Sequence, residues 1–375
     1  MNVFIELIRV ALGVQKNLSQ IPTEEEWLAA NDEMIKQALW GVCTYGMKLL
    51  PDEQQPPKKL YSNWVGITAL LRQRNKQLNN MCLKIERKLA HKKFSTCVLK
   101  GQGVGLYYGK LAEFRQSGDI DVWLWPQNED GVIDASVGRS ERRRRILSFV
   151  RSINRNCKPV YHNVAVMIKN EVVVEFHFTP SWFYSPIHNA RLQRWMESKT
   201  QEQFANIETL TTGERICAAT LDFNRIHILL HIYRHLFGEG IGLRQVLDYY
   251  FVLRATDEYD KAEYMRIIRS FGAERFASAL MWVMKTQFGL EDRFLLCETN
   301  ETEGKFLFSE MITAGNFGHF DERIDRRHYN GFVGTFFRRM RRNLRFLSHY
   351  PSEVLWCPFW KVWHQLWLLT NIKNI

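Results

Sequence analysis

The sequence lacks the features that mark several common protein classes. It has no CxxC pair, and its seven cysteines, Cys43, Cys82, Cys97, Cys157, Cys217, Cys297 and Cys357, are scattered and odd in number. That argues against a disulfide framework or a zinc site and fits a reducing compartment. No uncharged run approaches the ~18–20 apolar residues that a membrane span needs. The nearest candidate, 355–370, is broken by Pro358, Lys361, His364 and Gln365. The opening stretch MNVFIELIRVALG carries Glu6 and Arg9 among its apolar residues, so it predicts an amphipathic helix and not a secretory signal. The expected location is cytoplasmic. Low-complexity sequence is absent, as is any repeat with a period of ~20–50 residues.

What remains is a chain of 375 residues, 46% hydrophobic and 24% charged, an ordinary balance for a globular protein able to bury a substantial core. The charge is lopsided at +11. Arg142, Arg143, Arg144 and Arg145 form one basic run, and Arg338, Arg339, Arg341, Arg342 and Arg345 form another. Such clusters suit a triphosphate, a nucleic acid or an anionic membrane, although a charge run is as readily a solvated helix face.

The apolar spacing predicts helices over 1–50, with Thr23 capping a first turn that contains Glu24, Glu25 and Glu26. Three prolines make 51–59 a loop, and helical spacing resumes over 60–93. The character then changes. FSTCVLK (94–100) is β-prone and ends at Gly101, with Gly103, Gly105 and Gly109 close behind. DIDVWLW (119–125) alternates as a strand closed by Pro126, 139–156 reads as helix, and 160–168 and 172–178 read as strands around the turn Lys169-Asn170-Glu171. Beyond Pro180 helices return, with Asp222 as the expected cap of one that Gly238 and Gly240 interrupt, and another from Leu243. The predicted fold is α+β: a small mixed sheet core (94–180) between an N-terminal helical region (1–93) and a C-terminal helical domain (181–375).

Three short segments carry chemistry. Alternation along a strand puts Asp119 and Asp121 on one face. Two carboxylates so close repel unless a cation lies between them, which makes the pair a natural ligand set for Mg²⁺ or Mn²⁺; alone, a DxD is as readily an exposed turn. Period two along VVVEFHF (172–178) sets Glu175 and His177 on one face and Val174, Phe176 and Phe178 on the other. A carboxylate in so apolar a strand needs a partner, either metal or a satisfied pair with His177 or an arginine. Upstream, Lys100-Gly101-Gln102 opens a glycine turn of the kind that lets backbone N–H groups approach phosphates, though such turns are often purely structural.

Taken in order, strand, glycine turn, helix, DxD strand and later acidic strand resemble the polymerase-β-like nucleotidyltransferase superfamily. More closely, LKGQGVGLYYG, FRQSGDIDVWL and VVVEFHF look like the motifs of a bacterial family of poorly characterised nucleotidyltransferases, and HILLHIYRHLFGEGIGLRQVLDYYFVL (227–253) is similar to its second motif block. The resemblance implies two metal ions, Mg²⁺ or Mn²⁺, held by Asp119, Asp121 and Glu175. It also implies transfer of a nucleoside monophosphate from an NTP to an acceptor hydroxyl or phosphate on a protein, a nucleic acid or a small molecule. Gly101 matches the phosphate-turn glycine. The superfamily's Gly-Ser pair is Gly101-Gln102 here, so Lys100 or Arg115 is expected to serve the phosphate in place of the serine hydroxyl, with His177 beside Glu175. That departure leaves open an inactive module that binds nucleotide or nucleic acid.

Other features point less sharply. His227, His231 and His235 recur every fourth residue but lack the glutamate of a zinc-binding HExxH, so they line a cleft or pack in the core. Arg244 and Asp248, one helical turn apart, are expected to pair. The basic aromatic C-terminus places Trp356, Trp360, Trp363 and Trp367 at i, i+4, i+7, i+11, a packed or oligomeric helix face or else a contact with membrane or nucleic acid.

Overall fold

In a computed structural model of the chain, residues 2–168, 172–210, 213–323 and 331–372 are described. The predicted turn at 169–171 lies outside them. Helices dominate, and a four-stranded mixed sheet supplies the β component, as the α+β reading requires. The strands are β1 (Phe94–Val98), β2 (Ile120–Pro126), β3 (Asn163–Ile168) and β4 (Val172–His177), in the order β1-β2-β4-β3. β1 runs antiparallel to β2 and β3 antiparallel to β4, while β2 and β4 are parallel. A parallel pair needs a crossover, and the helix Arg139–Ile153 provides it.

By contacts the chain forms two interleaved compact units, one of residues 1–75, 107–116 and 229–350, the other of 76–106, 117–228 and 351–375. The first is helical. It includes Glu24–Gln37, whose capping box pairs Thr23 and Glu26 as its sequence predicts, and Leu243–Arg254. The second holds the sheet. One sheet face, formed by Ile120, Val122, Leu124, Val174 and Phe176, packs on Leu78, Ile85, Ile146, Leu147 and Val150 from the helices Lys58–Ala90 and Arg139–Ile153. Alternation then forces Asp121, Trp123, Glu175 and His177 onto the opposite face. That face is covered as well, since Trp123 meets Phe204 at 5.1 Å and stacks on Phe223 at 6.1 Å. A carboxylate at Asp121 is therefore held 2% exposed, which sets its electrostatics.

Several local expectations are corrected. Thr220, not Asp222, caps the helix Leu221–Gly238, its hydroxyl accepting from the Phe223 N–H at 3.2 Å. The arginine run at 142–145 is not one solvated face. Arg142 is buried with its guanidinium 3.8 Å from the Trp125 ring centroid, and Arg143 lies 4.2 Å from that of Trp367. Burial pushes both guanidinium pKa values down to about 10. Arg144 and Arg145 stay exposed and pair with Glu141. On the helix Pro351–Ile372 the tryptophans divide: Trp360 stacks on Trp182 at 4.0 Å, and Tyr161 meets Trp360, Trp363 and Trp367. Leu355, Phe359, Val362, Leu366 and Leu369 remain exposed. No helix among the described residues is long and apolar enough to cross a membrane.

Candidate active site

The parallel register places Asp121 opposite Glu175, so the two acids stand side by side on neighbouring strands. His177 follows two residues after Glu175 on the same face, and its Nε2 lies 2.8 Å from Asp121 Oδ1 and 3.3 Å from Glu175 Oε2. Lys100, just past the end of β1, brings its Nζ to 2.8 Å from the same Asp121 oxygen. Asn163, at the start of β3, donates to Glu175 Oε2 at 2.5 Å. Sequence reasoning missed Asn163; the only available sign was a polar residue within the predicted strand 160–168.

These contacts shift the pKa values of the cluster. Burial disfavours ionised Asp121, but Lys100 and the hydrogen bond from His177 outweigh it and lower its pKa. Burial likewise opposes ionised Glu175, and the His177 bond with the Lys100 charge still brings it down to about 2. Burial works to strip the proton from His177, yet Asp121 and Glu175 prevail and raise its pKa. Lys100 behaves the same way: burial opposes its charge, and Asp121, Glu175 and Asp119 more than restore it. His227 sits 0% exposed nearby, and burial, then the Lys100 and His177 charges, push it down to about 3. It is a neutral core histidine.

Asp119 immediately precedes β2, half-buried, and acts electrostatically on Lys100 and Glu175. The tightest cluster is Asp121, Glu175 and His177, whose ligand atoms lie within 4.8 Å of one another; it is the one group of metal-ligating side chains found among the described residues. The carboxylate oxygens of Asp121 and Glu175 suit a hard divalent ion such as Mn²⁺ or Mg²⁺, with Asp119 as a further carboxylate beside them and His177 as their hydrogen-bond partner. The donor chemistry fits.

The turn ahead of β2 is sharp. Gly101 adopts φ 57°, ψ −110°, and a Cβ added at Gly103 would stand 3.1 Å from the Val98 carbonyl oxygen. Gln102, in the place of the expected serine, is buried and donates its amide to Asn79. Arg115 has a carboxylate partner of its own. It belongs to the helical unit, where its Nε and Nη2 donate to Asp248 at 2.7 and 2.8 Å and Tyr108 donates to the same carboxylate at 2.6 Å. Asp248 thus has Arg115 as its bidentate partner where helical spacing predicts Arg244, and Arg244 donates to the Gln116 carbonyl at 2.8 Å. His231 and His235 also lie in the helical unit with ring centroids 4.3 Å apart, and His235 faces Glu239 at 3.5 Å.

No curated protein and no solved structure matches the chain. A family profile described as an uncharacterised nucleotidyltransferase matches residues 23–289, a span that includes Lys100, Asp119, Asp121, Glu175 and His177. With most of its length matched, the chain belongs to that nucleotidyltransferase family.

Proposed function

We propose that the protein is a metal-dependent nucleotidyltransferase that moves a nucleoside monophosphate from an NTP to an acceptor hydroxyl or phosphate, with Asp119, Asp121 and Glu175 holding the metal. One observation carries this reading: Asp121, buried, and Glu175, half-buried, stand in register on parallel strands with their carboxyl pKa values lowered, and Asp119 is adjacent. Asp121 and Glu175 share a sheet face and Asp119 immediately precedes the strand of the first, an oxygen donor set of the kind that divalent cations take. Mg²⁺ or Mn²⁺ bound there supplies charge neutralisation on the triphosphate and a more nucleophilic acceptor oxygen.

The chain's own side chains do the rest. Glu175, held at about 2, stays a ligand at neutral pH and does not act as a proton donor. His177 orients both acids through one nitrogen, and Asn163 fixes the Glu175 rotamer. Trp123 and its aromatic neighbours exclude water from the strand that carries Asp121, which strengthens every charge interaction beside it. Lys100 supplies a positive charge next to the place where the missing serine would have served phosphate.

The test is incubation with each NTP plus Mg²⁺ or Mn²⁺, followed by mass spectrometry of the protein and of a cell extract. A nucleoside monophosphate mass increment on some acceptor is expected, and it disappears in Asp121→Asn and Glu175→Gln. An increment undiminished in both variants removes the proposal. The burial of Gln102 against Asn79 favours a second reading, a nucleotide-binding module without turnover. It predicts nucleotide-induced thermal stabilisation with no pyrophosphate released.

A further inference from the structure

We infer that Lys100 is the resident cation of the metal seat, holding Asp121 until a divalent ion arrives with a nucleotide and then exchanging the carboxylate for phosphate. The inference rests on the metal-dependent reading above.

Three observations support it. Asp121 Oδ1 is served twice, by Lys100 Nζ and by His177 Nε2, each at 2.8 Å. Glu175 is served by His177 and Asn163. Lys100 sets an ammonium against the Asp121 carboxylate, so the seat already holds a positive charge with no divalent ion present. A metal that takes the Asp121 oxygen must displace an ammonium from it or sit beside one, and two cations at that spacing repel strongly away from water.

Where the ammonium goes follows from the chain. Lys100 is followed directly by Gly101, whose φ of 57° turns the backbone away from β1, and the Lys100 side chain is 15% exposed, so it is not sealed in. The triphosphate of the nucleotide carries the negative charge to replace Asp121 as its partner. Metal and nucleotide then bind cooperatively: each removes the obstacle to the other, by an equal factor in both directions. Metal alone meets a seat already filled. Lys100 is thus a positioning residue that ties metal occupancy to substrate, and it does so from the place next to the absent serine.

The experiment titrates the full-length protein with Mn²⁺, reading free ion by electron paramagnetic resonance, with and without an NTP analogue whose α,β-bridge is a methylene. Wild type is expected to bind Mn²⁺ weakly alone and about tenfold or more tightly with the analogue, within the usual range of such couplings. Lys100→Met should bind Mn²⁺ alone about tenfold more tightly than wild type and lose most of the enhancement by the analogue. Lys100→Arg, which keeps the charge, should behave as wild type. Folded Lys100→Met that binds Mn²⁺ alone no more tightly than wild type overturns the inference. So does an analogue that leaves wild-type Mn²⁺ affinity unchanged, a result that needs no variant at all. Asp121→Asn separates the two ideas: Mn²⁺ binding that survives in it unaltered refutes the metal site itself, whereas its loss leaves Lys100 to be judged on its own variants.

Discussion

Arg115→Met distinguishes a structural clamp from a phosphate ligand. In the structure the guanidinium is 5% exposed and makes a two-pronged contact with Asp248, itself only 7% exposed, while Tyr108 donates to the same carboxylate. Removing the arginine leaves a buried carboxylate with one neutral donor. Breaking such a pair from one side costs about 3–5 kcal/mol, because the surviving charge is left without compensation. For a chain of 375 residues, with an unfolding entropy of about 2.1 cal/mol/K per residue, this corresponds to a drop of roughly 4–6 °C in Tm. Asp248→Asn strands the buried guanidinium in the same way and should cost a comparable amount. The assay is thermal and urea unfolding, together with NTP affinity of the folded fraction, which should stay within about twofold of wild type. An Arg115→Met protein as stable as wild type but unable to bind NTP would contradict the clamp and restore Arg115 to the phosphate.

Further outcomes follow from the same contacts. Glu175 is held at about 2 against its ordinary 4.5, so its contribution to stability is present above pH 4.5 and is lost as pH falls toward 2; in Glu175→Gln the acid limb of the urea midpoint against pH should flatten, and an unchanged limb refutes the assignment. His177, raised above 6.5, contributes below that pH and loses the contribution as pH rises through its folded value, so His177→Phe should flatten the neutral-to-alkaline limb of the same curve. Gly101→Ala forces a side chain into φ 57°, ψ −110°, at a cost of about 1–3 kcal/mol readable by urea unfolding, and a neutral effect would show that the turn relaxes freely. Phe359→Ser with Leu366→Ser should change stability by no more than about 0.5 kcal/mol per site, because those side chains are already 67% and 59% exposed; a larger loss means the exposed face of the C-terminal helix is covered in solution.

The site was legible where local periodicity decides the structure. Alternation along 172–178 placed Glu175 and His177 opposite Val174 and Phe176, and the strands have that arrangement because their apolar residues must reach one core. The capping box at Thr23 and Glu26 was equally local. Long-range partners were not legible. Asp248 lies 133 residues from Arg115, and helical spacing named Arg244 because only near neighbours are visible in a sequence. The inward turn of Arg142 onto Trp125 depends on an aromatic ring from another element, so neither the solvated-face nor the polyanion reading of the four arginines could show it. The occupation of Asp121 by Lys100 was hidden for the same reason, since two residues 21 positions apart meet only after β1 and β2 pair.

The central claim is transfer of a nucleoside monophosphate at Asp121 and Glu175, and isotope position tests it directly. The protein, with Mn²⁺ and a cell extract, is given NTP labelled either at the α- or at the γ-phosphate. Label from the α-position should appear on an acceptor and label from the γ-position should leave as pyrophosphate, with both signals lost in Asp121→Asn. Retention of γ-label on the acceptor, or α-label transfer that persists in Asp121→Asn, contradicts it.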